Sequence, residues 1–283
     1  MIRNENDKNL NPVVLDISDR EDIFKIERKE FLGCKTLRKV ILSSSVKVVG
    51  DWAFSKCTNL RSFAVAGKYN GNIFGRGVFK GDDNLKKILF EDFDEDTSYL
   101  IAACANRMYN EHLITSEDVG SEAWYKKWDI SLLSLLSSRD EDGMIGNMVC
   151  GEEDISYSNV GMVDGEMPAE GHEYLVDAEK NKCYLTFLRL KYHNCLTEDV
   201  KEKLRAYIYS KRFGTDENYA WLLLKETENA NSDYFTSYLD IVKPSNEELK
   251  LMLDDLGHTN VLARSFLINE GGKNKVGFSD LEL

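Results

Sequence analysis

The hydrophobic positions in the first third of the chain recur as one fixed phrase. Ile26, Phe31, Cys34, Leu37, Val40 and Leu42 are followed at identical spacing by Val49, Phe54, Cys57, Leu60, Phe63 and Val65. Phe74, Phe79, Asp82, Leu85, Ile88 and Phe90 complete a third copy, with the copies offset by 23 and then 25 residues. The last pair of each copy alternates with exposed positions, as a half-buried strand does. The Phe and the small residue three places on sit in the turn that leads into it. A single copy cannot bury both its Phe and its strand face, so the copies are expected to stack, each covering the apolar edge of the one before. The stretch from Ser43 to Val49 returns the chain for the next coil. Weaker alternation at Val13–Ile17 suggests an earlier partial copy.

A period of this length falls in the leucine-rich-repeat window. The residues resemble the BspA-type leucine-rich repeat, in which a segment such as Val-x-x-Val-Gly-Asp-x-Ala-Phe-x-x-Cys-x-x-Leu recurs. Val46 to Leu60 fits best, with Gly50, Phe54, Cys57, Asn59 and Leu60 all in place. The first copy lacks the Gly ahead of its Phe and the third has Asp82 where the others have Cys, which marks them as capping-like terminal copies. The resemblance implies a right-handed β-solenoid that binds other macromolecules, often in bacterial cell-surface proteins, and implies no catalysis.

Past Thr97 the apolar period lengthens to that of helices. Tyr99, Leu100, Ala103, Met108 and Tyr109 start one face, Thr115 with Asp118 has capping-box spacing, and Trp124, Trp128, Leu132, Leu133, Leu135 and Leu136 form another. Gly151–Gly171 contains six carboxylates and no Lys or Arg, the composition of a loop. Arg107–Val119 is echoed by Arg189–Val200, Ser245 to Glu248 is a capping box, and Gly257 and Gly271 are placed as helix C-caps. The pattern predicts degenerate helix–turn–helix repeats, and the last pair, Ser245 to Gly271, is only vaguely ankyrin-like. The fold class expected is α+β: a short leucine-rich-repeat β-solenoid over residues 1–92, then an all-α helical-hairpin repeat domain over 93–283.

Charge sharpens that division. Of the 283 residues, 1–90 carry 17 Lys/Arg against 11 Asp/Glu, whereas 91–283 carry 19 against 38. The acidic run Glu91–Asp96 is therefore read as a charged joint. An acidic second half would repel a nucleic-acid backbone, so no nucleic-acid partner is expected. The start Met1–Lys8 has no apolar signal core and no run approaches a membrane span. A cytoplasmic protein is expected from the chain as written, or a surface or secreted one if the chain has been trimmed. Cys34 and Cys57 occupy equivalent repeat positions, and the six cysteines lack disulfide-framework or CxxC spacing, so buried free thiols are expected.

Catalytic and ligand motifs are sparse. The chain has no phosphate-loop or dinucleotide fingerprint, and no cofactor is expected. His112, His172, His193 and His258 never share metal-ligand spacing, so solvated or core histidines are expected and no metal. Asp140–Gly143 is only a fragment of a calcium loop. Cys150 lies beside carboxylates, which raise rather than lower a thiol's pKa. The alternative to a binding protein is thus a hydrolase-like enzyme with a site near Cys150–His193. The better candidate surface is the outward face of the strands: Lys39, Ser62 and Lys87 in a polar column, Ile41, Ala64 and Leu89 in an apolar one. That pair of columns predicts non-catalytic binding of a protein or peptide.

Overall fold

Alternation at the end of each copy produces short strands that pair in parallel. In a computed structural model, residues 13–69, 73–108, 110–138, 169–226, 232–257 and 260–273 are described. Among them lie β1 (Val14–Ile17), β2 (Lys25–Ile26), β3 (Lys39–Leu42), β4 (Val48–Val49), β5 (Ser62–Val65) and β6 (Lys87–Leu89). The main sheet is parallel in the order β1-β3-β5-β6, with Val40 beside Phe63 and Phe63 beside Ile88. β1 is thus the strand of the partial copy expected at Val13–Ile17. The returning segment makes a second parallel ladder, β2 with β4, and Val49 bridges to Phe74 beyond it.

Between the ladders the repeated apolar residues form interior columns. Phe31 stacks on Phe54 at 5.1 Å and Phe54 on Phe79 at 6.2 Å, all three buried. Leu37, Leu60 and Leu85 form a second buried column. Each such side chain contributes about 2 kcal/mol by leaving water. Cys34 and Cys57 are buried free thiols, and Cys57 Sγ donates to Phe31 O at 3.1 Å.

The turns repeat as faithfully as the strands. Lys29, Trp52 and Gly77 share one left-handed position (φ 60°, 53° and 61°), and Gly33, Lys56 and Gly81 share a second. A left-handed non-glycine residue costs about 1 kcal/mol. Bonds between coils hold it there: Phe31 N donates to Ala53 O at 2.8 Å and Phe54 N to Val78 O at 3.1 Å. Asn59 and Asn84 repeat a side-chain version, donating to Lys35 O and Thr58 O of the coil before.

Both departures at the terminal copies have steric or polar reasons. A Cβ on Gly50 would lie 2.7 Å from Arg28 N, and one on Gly75 would lie 2.7 Å from Asp51 N, each on the preceding coil. Glu27 holds the same position in the first copy, where a side chain is accommodated. At the other end Asp82 is buried with neither carboxyl oxygen hydrogen-bonded among the described residues, and burial pushes its pKa up to about 8. Helix α1 (Glu95–Asn106) closes this end, packing on β6. Asn106 Nδ2 donates to both Asp82 O and Leu85 O at 2.9 Å.

The acidic run at 91–96 proves to be a set of caps. Gly67 N donates to Glu91, Tyr69 N to Asp92, and Asp94 is the N-cap of α1, accepting from Thr97 N at 2.7 Å. The compact unit holding the repeats runs on to Leu132 and takes in Tyr192–Leu196. It includes α2 (Glu111–Ile114) and the first turns of α3 (Glu122–Ser137), whose Trp124 and Trp128 are fully buried. Thr115 does not start a helix: it caps the C-terminus of α2, with its hydroxyl donating to Glu111 O. Asn110 and Ser121 do the N-terminal work instead, accepting from Leu113 N and Trp124 N.

The second compact unit, Leu133–Lys191 with Thr197–Leu283, is helical where described. It contains α4 (Ala169–Lys191), α5 (Glu198–Ser210), α6 (Tyr219–Glu226), α7 (Ser232–Val242), α8 (Asn246–Leu256) and α9 (Val261–Lys273). α4 packs against α5, α6 and α7, and α9 against α8 and α7. The core gathers Trp221 with Phe213, Phe235 and Tyr238, and Phe187 stacked on Tyr234 at 5.4 Å. Ser245 and Glu248 form the capping box, and Gly257 at φ 58° ends α8. Gly271 is no C-cap, since it lies inside α9. Thr197 is a true N-cap of α5, so the echo between 107–119 and 189–200 joins two threonines with opposite roles. The loop expected at 151–171 lies outside the described residues up to 168, and α4 already begins at Ala169. The molecule as a whole is a mixed α+β protein.

Candidate interaction surface

Parallel register determines which side chains share a face. Lys39 lies beside Ser62 and Ser62 beside Lys87, while Ile41, Ala64 and Leu89 form the neighbouring column. β1 extends both: Val14 lies beside Lys39 and Asp16 beside Ile41. Lys39 is exposed, and Ile41, Ser62, Ala64, Lys87 and Leu89 are half-buried. Residues of Val40, Phe63 and Ile88 point the other way and are fully buried. This division follows from the two-residue period of a strand. Neither Lys39 nor Lys87 is in an ion pair with a described carboxylate. Asp16, on the neighbouring strand, is held below the usual carboxylate range chiefly by the Ser18 hydroxyl and amide, with Lys39 a minor cause.

Val14 and Asp16 were not foreseen as ladder members. The first partial copy has no Phe–Cys–Leu signature to fix its phase, so only pairing with β3 reveals which of its residues face outward. Asp16 gives the apolar column a charged end.

Chemistry beyond contact is thin among the described residues. No group of three His, Cys, Asp or Glu could hold a metal ion. Burial pushes the thiols of Cys104 and Cys183 well up, which makes them poor nucleophiles. Cys195 departs from the expectation of burial and is exposed. His172 and His193 are both exposed, and Cys150, His258 and the Asp140–Gly143 segment lie outside the described residues. No described helix is long and apolar enough to cross a membrane.

Parallel strands in chain order, an interior Phe–Leu core and coils offset by 23 and 25 residues are the marks of a leucine-rich repeat. Residues 8–127 match the family model of the BspA type leucine rich repeat region, described with six copies. The match starts ahead of the first complete copy and continues past Phe90 into α3. No curated protein and no solved structure gives a significant match to the chain.

Proposed function

We propose that this protein is a non-catalytic interaction module that binds a protein or peptide through the outward strand face of a short β-solenoid. The observation that carries the reading is the register, which sets Lys39, Ser62 and Lys87 in one column and Ile41, Ala64 and Leu89 in the next. A polar column beside an apolar one suits an extended partner whose side chains alternate. The two lysines supply charge complementarity and encounter rate, and the apolar column supplies desolvation. The helices from Leu133 on are read as helical hairpins that form a separate acidic domain, the boundary falling later than residue 93 because α1 packs on β6. The leucine-rich-repeat match supports a protein partner.

The test is selection of peptides on the full chain, followed by titration against the Lys39→Glu/Lys87→Glu variant. Binding is expected to weaken about tenfold, more at low salt than at high, with an unchanged melting curve. Undiminished binding in the charge-reversed chain would remove the strand face as the site.

A further inference from the structure

The turn side of the repeats carries a second feature that the strand ladder does not use. Trp52, in its left-handed position, is half-buried at the centre of a cationic cluster. Arg28 Cζ lies 5.0 Å from its ring centroid, Arg76 Cζ 4.7 Å and Lys29 Nζ 5.6 Å. These three cations come from two neighbouring coils, so the indole serves as their common platform. Beside it runs an open groove of about 410 Å³, lined also by Leu32, Ser55, Lys56 and Lys80.

Three cations thus lie over the indole and two more line the groove beside it, and all five are exposed. None of them forms an ion pair with a described carboxylate. The nearby Asp51 carboxylate accepts from the backbone N of Arg76 at 2.9 Å. Leu32 is 42% exposed, an apolar side chain left in water among charges. Positive charge along the lining calls for carboxylates or other anions. The indole and Leu32 call for an apolar side chain, which a bare polyanion does not have. Trp and Arg together are also the side chains that most often carry interface energy.

We infer that this groove is a docking site for an acidic peptide segment bearing an apolar side chain, separate from the strand face. The carboxylates pair with Arg28, Arg76, Lys56 and Lys80, and the apolar side chain lies against Trp52 and Leu32. Because cation–π contacts already order the arginines, little side-chain entropy remains to be lost on binding.

The experiment titrates the full chain into a fluorescein-labelled peptide alternating Glu with Leu, reading anisotropy, with polyglutamate of equal length and heparin in parallel. The alternating peptide is expected to bind about tenfold more tightly than polyglutamate. Trp52→Gly should erase that advantage. The substitution suits a left-handed position that the next copy already fills with Gly77, so the fold is expected to persist. Lys56→Glu/Lys80→Glu should abolish binding of both peptides, while Lys39→Glu/Lys87→Glu should leave both unchanged. Equal affinity of the two peptides, or binding indifferent to Trp52→Gly, overturns the inference. So does heparin binding more tightly than the alternating peptide, which would make this a polyanion site. Loss of binding only in the strand-face variant overturns it too, while leaving the strand-face reading standing.

Discussion

The repeats and the helical unit satisfy their interior polar groups in opposite ways. In the repeats each bond is made sideways to the neighbouring coil and then made again one copy later: Asn59 to Lys35 O, Asn84 to Thr58 O. In the helical unit the buried polar groups meet once only. Glu179 lies 3.0 Å from Lys182 and 2.9 Å from Lys211, and Lys211 also reaches Glu217 at 2.8 Å. Repetition makes interior positions interchangeable and concentrates the exceptions at the ends. The helical unit has no such economy, since these charges are shared in a single cluster that no other part of the unit repeats. The comparison teaches that a substitution in the repeats should be judged against its counterparts, and one in the helices against its immediate contacts.

Four substitutions test that contrast. Removing the central ring of the interior column, Phe54→Ala, is expected to cost about 4 kcal/mol in chemical denaturation, because rings on both sides lose their packing. Next, Glu179→Gln should cost about 3 kcal/mol, since Lys182 and Lys211 stay buried with their shared partner neutralised. Burial is the largest influence on the Glu179 carboxyl and pushes its pKa up, but Lys211 and Lys182 together outweigh it and hold the carboxyl below its usual range. Its contribution is therefore present above the ordinary glutamate value of about 4.3 and lost as pH falls through the depressed one. A melting series in acid would show the variant converging with the parent.

The third substitution runs the other way. Asp82→Cys restores the residue of the first two copies and should stabilise by about 2 kcal/mol at pH 8. Here the folded carboxyl titrates near 8 and the unfolded one near the usual value of about 4. Between those values the folded state holds a proton that the unfolded state has released. Stability of the parent thus falls as pH rises, and the slope should flatten in the variant. An unchanged pH profile would mean that Asp82 is not the buried acid responsible. Smallest of the four, Gly257→Ala should cost about 1 kcal/mol for a left-handed backbone alone, because among the described residues beyond its chain neighbours none comes within 4 Å of the added carbon.

Much of the repeat architecture was legible because three copies fix phase. Once Val40, Phe63 and Ile88 fall in register, so do Lys39, Ser62 and Lys87 between the interior positions. The helices had no such cross-check. Thr115 and Thr197 stand in similar local sequence, yet one closes a helix and the other opens one. What separates them is tertiary: Asn110 starts α2 just ahead of Thr115, leaving its hydroxyl to fold back on Glu111. Gly271 stays helical for a similar reason, being buried within α9. The acidic run at 91–96 reads as a joint from composition, but its carboxylates cap Gly67, Tyr69 and α1, contacts invisible without the preceding coil. The Trp52 groove was missed because its cations are distributed over copies, at 28, 29, 56, 76 and 80, and no single stretch looks basic.

The contrast between Glu27 and the glycines at 50 and 75 bears on how such a protein changes length over evolutionary time. A unit beginning with that glycine can be duplicated between existing coils without altering either end, because its contacts are with another unit like itself. Each duplication would lengthen the sheet by one strand spacing, about 4.8 Å. The unit with Glu27 and the one with Asp82 are less free to move inward: the first would drive its side chain into a neighbour's backbone, and the second depends on Asn106. Growth is thus confined to the middle of the array, and the two ends behave as fixed bookends.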